Sequence, residues 1–388
     1  MKQNTSMKKL LLFTMLCACI CITQAASVTM AMNFENTPRT FIIHLPASFI
    51  AGQSLPLVFN HHGYTSNASQ EEFYTKMNAT SDANNFIVVY PEGISNAWNS
   101  GFTAPYNSSP NDVGFISKII DTLVTLYNIN TNRVYSCGMS NGGFQSYRLA
   151  CDLENRIAAI ASVTGTIATL AATNCALTRK VPVMHVHGTA DSTVPYAGFT
   201  GAYGVEETIN FWLGKNGCTT QSDTVDLPNA NTTDGTTVKK IRYTNCGDGT
   251  EVLFYKVDGG GHTWPSGLID IPANGPTNRD FDASQEIWDF FNRFTLNGPV
   301  SGVEEVTSEM EVAVFPNPSE GKYEIRNMKY ENEQPVNVIV CDATGKKVLE
   351  QKAFSSSTEI NLTGVERGIY LLKLESKGFS ASRKLVKE

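Results

Sequence analysis

A serine hydroxyl becomes a nucleophile when a histidine takes its proton and a carboxylate orients that histidine. This 388-residue chain holds candidates for all three roles. The serine is Ser140, in Gly138-Met139-Ser140-Asn141-Gly142, a G-x-S-x-G pattern. Before it, Arg133-Val134-Tyr135-Ser136-Cys137 has the β-branched and aromatic content of a short buried strand. After it, Phe144, Tyr147, Leu149 and Ala150 open a helical pattern. A serine on such a strand-to-helix turn stands clear of the sheet, where its Oγ can attack an ester carbonyl. The flanking glycines are expected because a side chain on either side would crowd the helix or the substrate.

On this scaffold the chain order is serine, acid, histidine. Beyond Ser140 the histidines are His185, His187 and His262. His185 and His187 alternate along one strand and face the same side, with no acid at a strand end between them and Ser140. His262 follows a strand over 251–257 and the loop Asp258-Gly259-Gly260-Gly261, whose glycines free the backbone to swing an imidazole over the serine. His262 is therefore the expected general base. Asp191, on the exit turn of the strand 181–187, is the expected acid. Asp258 is too close to His262 in sequence, and Asp152, Glu206 and Glu207 read as solvated helix charges. Backbone N–H groups of Asn141, at a helix N-terminus, and of Tyr64, after the strand Leu57-Val58-Phe59-Asn60, are expected to form the oxyanion hole. His61 and His62 are expected to support that loop. The rival reading, His185, His187 and Asp191 as metal ligands, finds Thr189 and Ala190 where further ligands are needed, so neither metal nor cofactor is expected.

The elements that must carry these residues alternate. Short apolar runs at 41–43, 57–59, 86–89, 157–163, 181–186 and 252–255 read as strands, and 113–126 and 141–151 as helices. That alternation predicts a mostly parallel sheet with helices on both faces and its reactive groups at the strands' carboxyl ends. A last helix with the apolar face Ile287, Phe290, Phe291 and Phe294 closes the body. At the N-terminus, Lys8 and Lys9 precede the apolar run 10–22 and the small-residue site Thr23-Gln24-Ala25, the pattern of an export signal over 1–25. In the oxidising compartment beyond it, Cys218 is expected to pair with Cys246 and Cys151 with Cys175, while Cys137 reads as a small buried hydrophobe. The net charge of −7 and the absence of a basic cluster argue against a nucleic-acid partner.

Charge density divides the rest. Of the last 88 residues 26 are charged, against 41 of the first 300, and the turn-rich Asn297-Gly298-Pro299-Val300-Ser301-Gly302 marks the join. The predicted plan is a catalytic domain over 26–296, a linker over 297–311 and a small antiparallel sandwich over 312–388, with strands at 312–315, 336–341 and 368–374 and a turn at 342–345.

The tail resembles the C-terminal sorting domain of the bacterial type IX secretion system, from Pro316-Asn317-Pro318 to Arg383-Lys384-Leu385-Val386-Lys387. That resemblance implies a secretion-machinery partner and an extracellular or cell-surface location. Residues 35–295 resemble the polyhydroxybutyrate depolymerase and feruloyl esterase branch of the α/β-hydrolases. The matching stretches are His62-Gly63, Tyr90-Pro91-Glu92-Gly93 with Trp98-Asn99, Asp112-Val113-Gly114-Phe115, the Ser140 motif, His187-Gly188-Thr189-Ala190-Asp191 with Val194-Pro195-Tyr196, and Gly261-His262-Thr263-Trp264-Pro265. With its tail the chain is similar to exported, promiscuous polyester esterases of Bacteroidetes. The resemblance implies an α/β-hydrolase fold and a secreted serine esterase, expected to act as a monomer on a polymeric or oligomeric ester. Polyester is the first expectation and feruloyl or acetyl esters of plant polysaccharide the alternative. A surface-displayed binding protein is the reading of another class. Trp98, Trp264 and Tyr196, together with Tyr64, are the candidates to contact substrate, with ordinary packing the alternative for each tryptophan.

Overall fold

The computed structural model describes residues 26–103, 109–220, 222–300, 313–326, 335–342, 346–376 and 379–388. The expected signal peptide, the linker beyond Val300 and the turn beyond Asp342 lie outside them. The chain divides into two compact units after Val300.

Among the described residues, ten strands form the main sheet of the first unit. They are β1 (Ala26–Phe34), β2 (Thr37–Leu45), β3 (Leu55–His61), β4 (Ile87–Pro91), β5 (Ile129–Met139), β6 (Ala159–Val163), β7 (Val183–Gly188), β8 (Asp223–Asp226), β9 (Thr237–Tyr243) and β10 (Val252–Asp258). They form one sheet in the order β1-β2-β4-β3-β5-β6-β7-β10-β9-β8. The six central strands, β4 to β10 in that order, run parallel, and the two outer strands at either edge are antiparallel. The expected strands all lie in the parallel centre or in its neighbour β2. The outer strand β8 and the start of β9, in the polar stretch 219–240, carry too little apolar sequence to announce themselves: all four β8 residues are exposed.

Among the described residues, seven α-helices cover the sheet: α1 (Ala68–Thr75), α2 (Met77–Asn84), α3 (Asp112–Tyr127), α4 (Asn141–Asp152), α5 (Thr169–Asn174), α6 (Val205–Asn216) and α7 (Ala283–Phe291). Alternate side chains of each parallel strand enter opposite layers. Leu57 and Phe59 join Phe115, Ile119, Tyr147 and Trp212 on one face. Val58 joins Tyr135, Tyr255, Ile287 and Phe290 on the other. Burial on both faces is why β3 and β4 read as nearly continuous apolar runs. Helix starts follow their caps: Asn111 Oδ1 accepts from Gly114 N–H at 2.9 Å for α3, and Asp282 accepts from Ser284 N–H at 2.9 Å for α7. One expectation is corrected here. Phe294 is not on the last helix; α7 ends at Phe291, and Phe294–Thr295 pairs with Gly298–Pro299 as a tiny hairpin, so residues 297–300 belong to the body.

Both expected disulfides, Cys151–Cys175 and Cys218–Cys246, are present, and Cys137 is a buried free thiol. In the second unit, Ala313–Phe315, Lys322–Arg326 and Thr358–Asn361 form a three-stranded sheet, and Lys347–Ala353, Val336–Asp342, Gly368–Ser376 and Phe379–Lys387 a four-stranded one. Both are antiparallel ladders, and Tyr323, Ile325, Val338, Val340, Leu372 and Leu374 fill the core between them.

Candidate active site

Ser140 caps α4 immediately after β5, with φ 55° and ψ −119°. A non-glycine residue in that region is strained, and the fold holds it there through Ser140 N–H to Val163 O (2.8 Å) and Phe144 N–H to Ser140 O (3.0 Å). The motif glycines follow from close packing. A Cβ on Gly138 would sit 2.5 Å from His61 O, and one on Gly142 would sit 1.9 Å from it. The start of α4 therefore rests directly on the carboxyl end of β3, which only glycine permits.

The loop after β3 lies against the serine: a Cβ on Gly63 would be 3.4 Å from Ser140 Cβ. Its histidines are structural, as expected. Gly93 N–H donates to His62 Nε2 (3.0 Å), so the ring proton is on Nδ1, which donates to Gly63 O (2.8 Å). Burial lowers the His62 pKa to about 4, which keeps that neutral form in place. His61, hydrogen-bonded with Ser136 Oγ at 3.1 Å, is lowered to about 3, chiefly by burial and then by His62.

Trp98 lies beneath this loop, 1% exposed, and its indole N–H donates to His62 O (2.9 Å). Trp98 N–H donates to Asn141 Oδ1 (2.7 Å), and Asn141 Nδ2 donates to Ser100 Oγ (2.8 Å). The segment is braced by Asp112, which accepts from Asn99 N–H (2.7 Å) and pairs with Arg39 (2.8 Å). One buried tryptophan thus ties the Gly63–Tyr64 loop to the residue that follows Ser140. The brace made by the Asn141 side chain was not legible beforehand. Nor was the part played by Gly93; the only signal was its place beside Trp98-Asn99 in the matched motifs.

At the carboxyl ends of β7 and β10, His262 Nδ1–H donates to Asp191 Oδ2 at 2.8 Å, across 71 residues of sequence. Asp191 Oδ1 accepts from Thr193 N–H (2.9 Å) and Val194 N–H (2.8 Å), leaving the carboxylate one orientation. The two loops are clamped to each other by Ala190 N–H to Gly260 O (2.9 Å) and Thr189 N–H to Val257 O (2.9 Å). Among the described residues His262 Nε2 and Ser140 Oγ make no hydrogen bond, to each other or elsewhere, so both are open to a reacting group.

The aromatic candidates divide. Trp264 is fully buried; its indole N–H donates to Ser284 Oγ (3.2 Å) and its backbone N–H to the Tyr74 hydroxyl (3.1 Å). Trp98 and Trp264 thus offer no face to a substrate, and the stacking role expected of them is corrected: each anchors a loop, because an indole N–H in the core needs an acceptor there. Tyr196 is half-buried, hydrogen-bonded to Glu206 and edge-on to the His187 ring at 6.1 Å. Tyr64 is 64% exposed.

Residues 53–212 match the family described as Phospholipase/Carboxylesterase, and residues 313–388 match the Secretion system C-terminal sorting domain. The chain is similar to a bifunctional acetylxylan esterase/xylanase of Neocallimastix patriciarum, 30% identical over 67% of this chain but 34% of that protein, so it spans about a third of that relative's length. It is also similar to feruloyl esterase D of Neurospora crassa, 26% identical over 69% of this chain and 86% of the relative. A solved acetyl xylan esterase from Aspergillus awamori shares the fold, with TM-score 0.50 and 17% identity over 68% of this chain and 99% of that one. Residues 53–212 thus match the Phospholipase/Carboxylesterase family on a fold shared with that solved esterase, and residues 313–388 match a sorting domain of the kind that directs proteins through type IX secretion to the cell surface or beyond.

Proposed function

We propose that the body hydrolyses carboxylic esters through an acyl-enzyme, with Ser140 as nucleophile, His262 as general base and Asp191 as the carboxylate that orients it. The observation that carries this reading is the 2.8 Å Asp191–His262 hydrogen bond at the same sheet edge as the Ser140 turn. The substrate carbonyl lies between Ser140 Oγ and the N–H groups of Asn141 and Tyr64. As the Oγ–carbon bond forms, His262 Nε2 takes the hydroxyl proton, and the carbonyl oxygen gathers negative charge that the two N–H groups stabilise. Collapse of the intermediate breaks the ester C–O bond, and the leaving alcohol takes the proton from His262. A water then repeats the sequence on the acyl-serine, freeing the acid. Asp191 stabilises the imidazolium in both halves.

The substrate proposed first is an acetyl or feruloyl ester carried on plant polysaccharide, supported by the names of the two relatives above. Polyester is the second reading, favoured by the exposed Tyr64 ring on the loop packed against Ser140. We place the secreted protein as a monomer that meets the secretion machinery through its tail and loses that tail afterwards. Ser140→Ala should abolish p-nitrophenyl acetate hydrolysis without lowering the melting temperature; retained turnover refutes the mechanism. A panel of acetylated xylan, methyl ferulate and polyester film ranks the substrates. Hydrolysis of film alone reverses the order, and no Ser140-dependent turnover on any of them leaves a binding protein.

A further inference from the structure

His187 lies outside the proposed trio, yet everything around it points to Asp191. It occupies β7 four residues before the acid, wholly buried, with Nε2 2.9 Å from Val194 O and 3.5 Å from Asp191 Oδ2. A carbonyl can only accept, so Nε2 carries the ring proton and donates to Val194 O. That bond closes the loop 188–194 onto its own strand, and Val194 N–H is one of the two donors gripping Asp191 Oδ1. With the proton on Nε2, Nδ1 is a bare acceptor, and among the described residues it has no partner. The Thr164 hydroxyl, equally buried and unpartnered, lines the same cavity of about 10 Å³. Thr164 itself has φ 54°, strained for a β-branched residue. A cavity of that size has room for about one water, which can donate to Nδ1 and accept from Thr164.

We propose that His187 is a positioning residue for the ester hydrolysis proposed above: its Nε2–H to Val194 O bond holds the loop that aims the Asp191 carboxylate at His262. The proposal rests on that reading of Asp191. The charged and titratable groups that face His187 are Asp191, His262, the stacked His185 at 5.2 Å, Tyr196, and Lys256, its register partner on β10. Burial lowers the His187 pKa, so the ring is a neutral brace rather than a second acid.

The experiment compares His187→Phe, which keeps the ring volume and removes the donor, with His187→Gln, whose amide reaches the Nε2 position. Should the Phe variant not fold, His187→Asn, too short to reach Val194 O, takes its place. For the donorless variant we expect kcat to fall about 10- to 100-fold with KM within about twofold, the effect of a misaimed carboxylate. The acid limb of its kcat/KM profile should move down by about one pH unit, because a loosened Asp191 stabilises the imidazolium less. His187→Gln should recover most of both. Unchanged kcat and acid limb in the donorless variant, or the same loss in Gln as in Phe, overturns the proposal. Ser140→Ala, assayed alongside, separates that outcome from failure of the esterase mechanism, since only the latter leaves turnover in the serine variant.

Discussion

Glu71 puts a measurable electrostatic load on the scaffold beneath the site. It sits on α1, 3% exposed, with Oε1 unpartnered among the described residues, and burial pushes its pKa up to about 8. Unfolded, the group titrates near 4.5. Between those values the folded protein holds a proton that the unfolded chain releases, so stability falls as pH rises, by about 1.4 kcal/mol per pH unit. The loss amounts to about 3 kcal/mol at pH 7 and levels off above pH 8. Glu71→Gln keeps the shape, stays neutral and removes the dependence. The variant should match the parent near pH 4.5 and exceed it by about 3 kcal/mol at pH 7, a gain of several degrees in the melting temperature of the hydrolase domain. Denaturant unfolding at pH 5, 6, 7 and 8, read by intrinsic tryptophan fluorescence, measures the difference directly, since all four tryptophans lie in the first unit. Parallel stability–pH curves for the two proteins would refute the reasoning, because they would mean that Glu71 already ionises in the fold at ordinary carboxylate pH.

Two further outcomes follow from distances. Gly142→Ala places a methyl group 1.9 Å from His61 O, so the start of α4 must move away from β3 and carry Asn141 N–H with it. Esterase turnover should drop by about 100-fold or more, the scale of losing one oxyanion donor, as read by initial rates on folded protein. Removing the Cys151–Cys175 link by a double serine substitution frees the loop it closes, with a sequence separation of 24. The hydrolase domain should lose about 3 kcal/mol of stability in denaturant unfolding while kcat stays within about twofold.

Much of this architecture is written locally. The strand, the turn and the helix around Ser140 each follow from residues within a dozen positions, because backbone propensity and apolar period act at that range. The glycines of the turn were legible too, although the atom that demands them, the His61 carbonyl, was not. The cysteine pairs and the change in charge density near residue 300 were equally plain, being matters of composition. The assignment of His262 and Asp191 came from elimination along the chain; their contact across 71 residues is made by the order of β7 and β10 in the sheet, which no local pattern encodes. Trp98 and Trp264 show the limit most clearly. An indole reads the same in sequence whether its face meets solvent or its N–H is consumed by a buried acceptor, and here His62 O and Ser284 Oγ decide in favour of the core. The brace from Asn141 to Trp98 and the reach of His187 to Val194 are likewise products of packing. Residue type supplies the chemistry, but a hydrogen bond between distant segments exists only once the whole sheet has placed donor and acceptor within 3 Å.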